Sequence, residues 1–128
     1  MRAADTNVLV RLAVGDDIAQ TTAAEAFVQR GVWVSQLVIA ETAGVLRSVY
    51  GLSSAQVATA VAMFLDHPQL AIQEPDVVAA ALTQFRARPT IRFSDCLIVE
   101  IARKAGHLPI GTFDRELAKL PDVSRIST

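Results

Sequence analysis

Four acidic residues carry the chemistry this sequence offers. Asp5 lies in Ala3-Ala4-Asp5-Thr6-Asn7-Val8-Leu9, wedged between two apolar stretches. Glu41 stands at helical spacing from Leu37, Gly44 and Val45, which share its face of a helix. Asp95 follows Arg92-Phe93-Ser94, and Asp114 follows Ile110-Gly111-Thr112-Phe113. An acid on an apolar face is costly unless its charge is compensated. Several acids converging on one spot repel each other and raise one another's pKa. A bound divalent cation resolves both problems. Mg2+ takes hard oxygen ligands, keeps several waters and suits a site that also receives a phosphate. Each acid has an ordinary reading as well. Asp5, Asp95 and Asp114 are natural helix caps, and Glu41 can reach solvent past its neighbours. The case for chemistry rests on the four together.

Positioning such groups is the work of the elements around them. Met1 to Asp5 reads as a short strand, and Asn7 to Val14 has helical apolar spacing that stops at Gly15. Asp17 with Gln20 has the pattern of a capping box for a helix to about Arg30. Val32-Trp33-Val34 is a buried-strand signal. Ser35 caps a helix from Gln36 to about Tyr50, which Gly51 ends. Ser53 with Gln56 is a second capping box, opening a helix to about His67. Leu70-Ala71-Ile72 is a short strand, and Pro75-Asp76 opens a helix to about Arg88. Ser94-Asp95 opens a helix to about Lys104, ended by Gly106. Leu108 to Thr112 is a strand, a short helix starts at Asp114, and Val123 to Ile126 is a last strand. Short strands alternating with longer helices predict an α/β fold, a mostly parallel sheet flanked by helices on both faces in three layers. Ligands bind such sheets outside the carboxyl ends of the strands. Asp5, Asp95 and Asp114 are all expected at that one edge.

The composition narrows the classes. A chain of 128 residues with 52% apolar and 20% charged residues is a single globular domain, 1–128, not a disordered tail. One cysteine, Cys96, excludes an intrachain disulfide and fits a reducing cytoplasm. No uncharged apolar run is long enough to span a bilayer, and the amino-terminal stretch does not read as a leader. Taking the four acids from the formal net charge of -1 leaves +3. The remaining surface is mildly basic, as a polyanionic substrate would require.

Asp5-Thr6-Asn7-Val8-Leu9 resembles the opening of PIN-domain ribonucleases, and more narrowly that of the VapC-type toxins of bacterial toxin–antitoxin pairs. Ser35-Gln36-Leu37-Val38-Ile39-Ala40-Glu41 is similar to the family's second acidic motif, Asp95-Cys96-Leu97-Ile98 to its third and Thr112-Phe113-Asp114 to its fourth. The resemblance implies a Mg2+- or Mn2+-dependent endoribonuclease on a PIN-like three-layer fold. Asp5, Glu41 and Asp95 would form the metal-binding core, with Asp114 as the fourth acid. Thr6, Asn7 and Thr112 would be polar supporting or substrate contacts. An RNA substrate, a cognate antitoxin protein and a homodimer are implied in the same way. The chain departs from the pattern at Cys96, where Ala is common. It departs again at Glu100, Arg103 and Lys104, which are expected on the face away from Asp95 with Glu100 and Lys104 paired.

The expected reaction is hydrolysis of an RNA phosphodiester by water activated at a metal, with no side-chain nucleophile. Asp5 and Asp95 would hold one ion, Glu41 would bridge or orient its water, and Asp114 would act through water or hold a second ion. Arg86, Arg88 and Arg92 either grip the RNA backbone or are solvated surface groups. Arg11 either pairs with an acid, the favoured reading, or touches substrate. Cys96 reads as a core residue rather than a nucleophile, since no His is near it in sequence. Trp33 reads as core or dimer interface. The stripe from Ala55 to Leu65 reads as core or as a dimer or antitoxin contact. His67 and His107 allow metal-free acid–base cleavage in principle, but neither falls at an expected strand carboxyl end. A phosphate-accepting receiver domain also clusters acids, but it needs a Lys at a late strand end. A haloacid-dehalogenase-like phosphatase wants Asp where this chain has Asn7. The main alternative is a non-catalytic PIN-like module that binds RNA or a partner.

Overall fold

Side-chain caps start the helices where the sequence places them. In the computed structural model, which describes residues 1–128, Asp5 caps α1 (Thr6–Val14) and Asp17 caps α2 (Ile18–Val28). Ser35 caps α3 (Gln36–Ser48) and Ser53 caps α4 (Ser54–Asp66). The box at α4 is complete: the Gln56 N–H donates to Ser53 Oγ at 3.1 Å, and the Ser53 N–H donates to Gln56 Oε1 at 2.9 Å. At α2 only the Asp17 half forms, with the Gln20 N–H donating to Asp17 Oδ1 at 3.0 Å. Pro75 occupies the first turn of α5 (Pro75–Ala87), where its missing N–H costs nothing. Gly15 ends α1 and Gly106 ends α6 (Phe93–Ala105), each in the left-handed conformation that a side chain would strain.

All strand pairs are parallel. Arg2–Ala3 (β1) pairs with Val32–Val34 (β2), which pairs with Leu70–Ile72 (β3). Ile110–Thr112 (β4) pairs with Val123–Arg125 (β5). A 3-10 turn over Leu117–Lys119 stands in place of the short helix expected from Asp114. The α/β class with parallel strands is therefore as read. The single sheet divides in two, because β1 is only two residues long and makes no ladder with β4.

The core forms where the helices close on β2. Val32 and Val34 are fully buried, as are Leu9, Ile39, Leu46, Val57, Val61, Val78 and Val99. Val57, Ala58, Val61 and Phe64 of the α4 stripe are buried, which assigns that stripe to the core. Trp33 points the other way from its neighbours and is 41% exposed, in register with exposed Ala3 and Ala71. It is thus not a core residue, and that row of the sheet faces solvent. Helix α3 packs against both α1 and α6. This places Glu41 on the element shared by the helix that Asp5 starts and the helix that carries Asp95. No helix is long and apolar enough to cross a membrane.

Candidate active site

Asp5 is exposed at the end of β1, so the burial cost that its sequence context suggests does not arise. Its Oδ1 accepts the Val8 N–H at 3.4 Å, a loose bond beside the 3.0 Å of the Asp17 cap. Much of the Asp5 carboxylate is therefore uncommitted. Glu41 is exposed as well, since Leu37 and Gly44 on its face of α3 are open to solvent. The structure ties these two motifs together: Thr6 Oγ1 donates to Glu41 Oε2 at 2.8 Å. Thr6 follows Asp5 directly, so one hydrogen bond fixes the end of β1 against α3.

Asp95 is not a cap. The cap position of α6 belongs to Arg92, whose side chain bonds no backbone N–H, and Asp95 sits inside the first turn. Its carboxylate is mostly shielded, with 18% of the side chain exposed. Its one partner is Arg92 Nε, at 3.4 Å from Oδ2, on a side chain that is 81% exposed. A negative charge there gains from the positive end of the helix dipole. Glu41 and the Arg92-Phe93-Ser94 segment just before Asp95 line one cavity, while Asp95 itself does not line it.

Asp114 has a defined local duty. Its Oδ1 accepts the Glu116 N–H at 2.8 Å and the Leu117 N–H at 3.5 Å, opening the 3-10 turn. Thr112 Oγ1 in turn accepts the Asp114 N–H at 3.0 Å, so Thr112 shapes this turn. No hydrogen bond joins Asp114 to the other three acids, and Asn7 is exposed beside them. Arg11 forms the expected ion pair, with Asp16, and also bonds the Tyr50 hydroxyl. It is held away from substrate duty. Arg86 and Arg88 are exposed.

A divalent cation can be tested against this donor set. Asp5, Glu41, Asp95 and Asp114 are hard oxygen donors, and each keeps one carboxylate oxygen free of protein hydrogen bonds. The chemistry fits. The side chains are not gathered around a point, however: no three His, Cys, Asp or Glu residues stand close enough to hold an ion.

The model of the PIN domain family matches residues 3–123. The chain belongs to the PIN-domain family. No curated protein matches it in sequence. Among solved structures, this PIN domain is similar to the crystal structure of VapC20 of Mycobacterium tuberculosis, a toxin that cleaves the sarcin–ricin loop. The identity is 19%, over 93% of this chain and 94% of that one, with a TM-score of 0.41.

Other residues of this PIN domain take structural roles. Burial pushes the Cys96 thiol up to about 11, with the Asp95 charge adding to it, so the thiol stays protonated and inert. His67 Nδ1 accepts the Gln69 N–H at 3.1 Å and serves a turn. Glu100 corrects the expectation most sharply. It is buried, 6% exposed, and pairs with Arg103 at 2.9 Å rather than with Lys104. Lys104 reaches Asp76 at 2.9 Å and Glu74 at 3.3 Å instead. What the sequence pattern did not single out is the cavity itself, walled by Gly44, Arg47 and Thr90 beside Glu41. Its one legible signal was a glycine inside a helix, three residues after an acid.

Proposed function

We propose that the protein is a Mg2+- or Mn2+-dependent endoribonuclease that acts as the toxin of a toxin–antitoxin pair. The observation that carries the reading is the Thr6–Glu41 hydrogen bond, which joins the first acidic motif to the second in a chain of the PIN family. Asp5, Glu41 and Asp95 would hold the ion, with Asp114 as an outer acid. A divalent ion lowers the pKa of water and offsets the phosphate charge that builds toward the transition state. The protein's own part is positional. Thr6 orients Glu41, and Asp95 lies in the first turn of α6, at the positive end of its dipole. Arg92, almost free in solvent, is placed to meet an RNA phosphate. Asp5 and Glu41 are exposed, so their side chains are free to rotate toward an ion.

The partners follow from the same reading: an RNA substrate, a cognate antitoxin and a second copy of the chain, in the cytoplasm. Leu37 and Ile98 lie exposed one helical turn from Glu41 and Asp95, apolar ground on which an antitoxin would cover the acids. A second reading, a non-catalytic PIN-like binding module, is favoured by the separation of the carboxylates.

One experiment separates them. A mixed RNA pool is incubated with antitoxin-free protein in Mn2+ or in EDTA, beside Asp5→Asn, which keeps the cap because Asn caps as well as Asp. The nuclease reading expects cleavage that disappears in EDTA and falls by about a thousandfold in Asp5→Asn, roughly 4 kcal/mol of transition-state stabilisation. Intact RNA with folded, Mn2+-binding protein favours the module. Cleavage that survives both EDTA and Asp5→Asn sinks the metal mechanism.

A further inference from the structure

The cavity that Glu41 lines, about 570 Å³, runs between α3 and the α5–α6 connection. It continues into a second cavity of about 650 Å³, with Arg47, Ser54 and Thr90 lining both. Glu41 is the one acid along this trough, and Arg47, Arg92 and Arg86 face it. A polyanion is therefore attracted along a track that ends at a candidate ion-binding carboxylate. Arg47 gives one nitrogen to the Leu52 carbonyl at 2.8 Å and keeps the rest of its guanidinium free. The buried Phe85 and Phe93 rings, packed edge to face at 5.9 Å, supply part of an apolar floor. The first cavity falls within the roughly 300–1,000 Å³ of pockets that enclose a small ligand. That volume is on the scale of a nucleotide or two rather than of a duplex.

Gly44 is the telling residue. A glycine in a helix interior is a liability relative to alanine. Here nothing in the packing demands it, since a Cβ at Gly44 would meet no atom within 4 Å. The space it leaves open is the trough, one turn beyond Glu41. We propose that this trough is a single-strand RNA subsite, in which a nucleotide flanking the scissile phosphate lies over Gly44. Arg47 and Arg92 hold the neighbouring phosphates. The absent side chain at Gly44 sets what the subsite admits. This deepens the nuclease reading and rests on it for the identity of the ligand.

The test is binding of a short fluorescein-labelled oligoribonucleotide, followed by anisotropy in EDTA so that nothing is cut, to wild type, Gly44→Ala and Gly44→Leu. Melting temperatures are read in parallel. The subsite expects Kd to rise several-fold for Ala and more than about tenfold for Leu, while Tm holds or rises, because both residues favour helix over glycine. Arg47→Gln should lower the slope of log Kd against log salt by about 0.7, one phosphate contact on a single strand. It also serves if Gly44→Leu fails to fold. Cleavage in Mn2+ is read separately. Weakened binding in the Gly44 series of a protein that never cleaves upholds the subsite and removes the nuclease. A cleaving wild type whose Gly44→Leu form keeps its Kd removes the subsite and leaves the nuclease standing. Absence of RNA binding by the wild type, or equal competition by duplex RNA, overturns the proposal.

Discussion

The acids of this PIN domain fall into two regions that treat charge in opposite ways. Around the carboxyl half of α6, every acid has a basic partner. Glu100 and Asp122 share Arg103, while Glu74 and Asp76 share Lys104. At the other end of α6, and across α3 to the end of β1, the acids go without. Asp5 and Glu41 have no basic partner, and Asp95 has only the solvent-exposed Arg92 at 3.4 Å. The first region uses acids to close the fold, joining α5, α6 and the turn before β5. The second leaves negative charge uncompensated along α3 and at the starts of α1 and α6. Acids without a basic partner gain no stability from pairing and are left open to a cationic ligand, which would stabilise the fold by binding.

The sharpest way to break this contrast is to remove a partner from one region and a charge from the other. Arg103→Leu leaves Glu100 buried without its cation. The expected loss is about 3 kcal/mol, the low end for a broken buried pair, because a third of the Arg103 side chain is exposed. Glu41→Gln removes an exposed charge and keeps an oxygen for Thr6, so its stability should stay within about 0.5 kcal/mol of wild type. Urea unfolding compares the two. Equal losses would mean that Glu41 too is structural, and the contrast would fail.

A smaller effect belongs to Thr6, the link within the uncompensated region. Thr6→Val deletes the hydroxyl that orients Glu41 and nearly keeps the volume. A hydrogen bond to a carboxylate is worth about 1.5 kcal/mol at the low end that suits an exposed pair, so RNA cleavage should fall roughly tenfold. Thr6→Ser should restore it. Loss of activity in both variants would point to the Thr6 methyl group and its packing rather than to orientation of Glu41.

How much of this was legible in the sequence depends on how local each cause is. Helix starts at Asp17, Ser35 and Ser53, and stops at Gly15 and Gly106, are set by caps within a few residues, and the structure keeps them. Asp95 was legible as an acid at a helix start but not as a residue inside the first turn, since Arg92 holds the cap without a side-chain bond. The exposure of Glu41 was not legible, because the face shared by Leu37 and Gly44 is open only if nothing packs on it. Nor was the partner of Glu100. Spacing along α6 pointed to Lys104, but α5 supplies Glu74 and Asp76 to Lys104, and the turn before β5 supplies Asp122 to Arg103. Those choices are made between elements distant in sequence. The trough was hidden for the same reason, its walls being joined by contacts such as that of Ser54 Oγ with the Pro89 carbonyl at 3.2 Å.

The smallest expected effect is the pH response of the paired region, and its sign distinguishes that region from the other. Lys104 holds the Asp76 carboxyl below its usual 3.8, chiefly through their hydrogen bond, and Asp76 holds Lys104 above its usual 10.5 in return. For Asp76, whose folded value is depressed, the stabilisation is full above 3.8 and fades as pH falls through the lower folded value. For Lys104, whose folded value is raised, it is full below 10.5 and fades as pH climbs through the higher one. Both groups are solvent-exposed, so the gain is slight and sensitive to salt. Wild type should therefore melt slightly above Lys104→Ala from about pH 5 to 9 at low salt, with the gap closing below pH 4. A gap that persists in strong acid would assign the effect of Lys104 to the packing of its methylene stem against α5. The carboxyl half of α6 would then be held at Lys104 by contact area rather than by charge, with Arg103 and its two acids the ionic anchor.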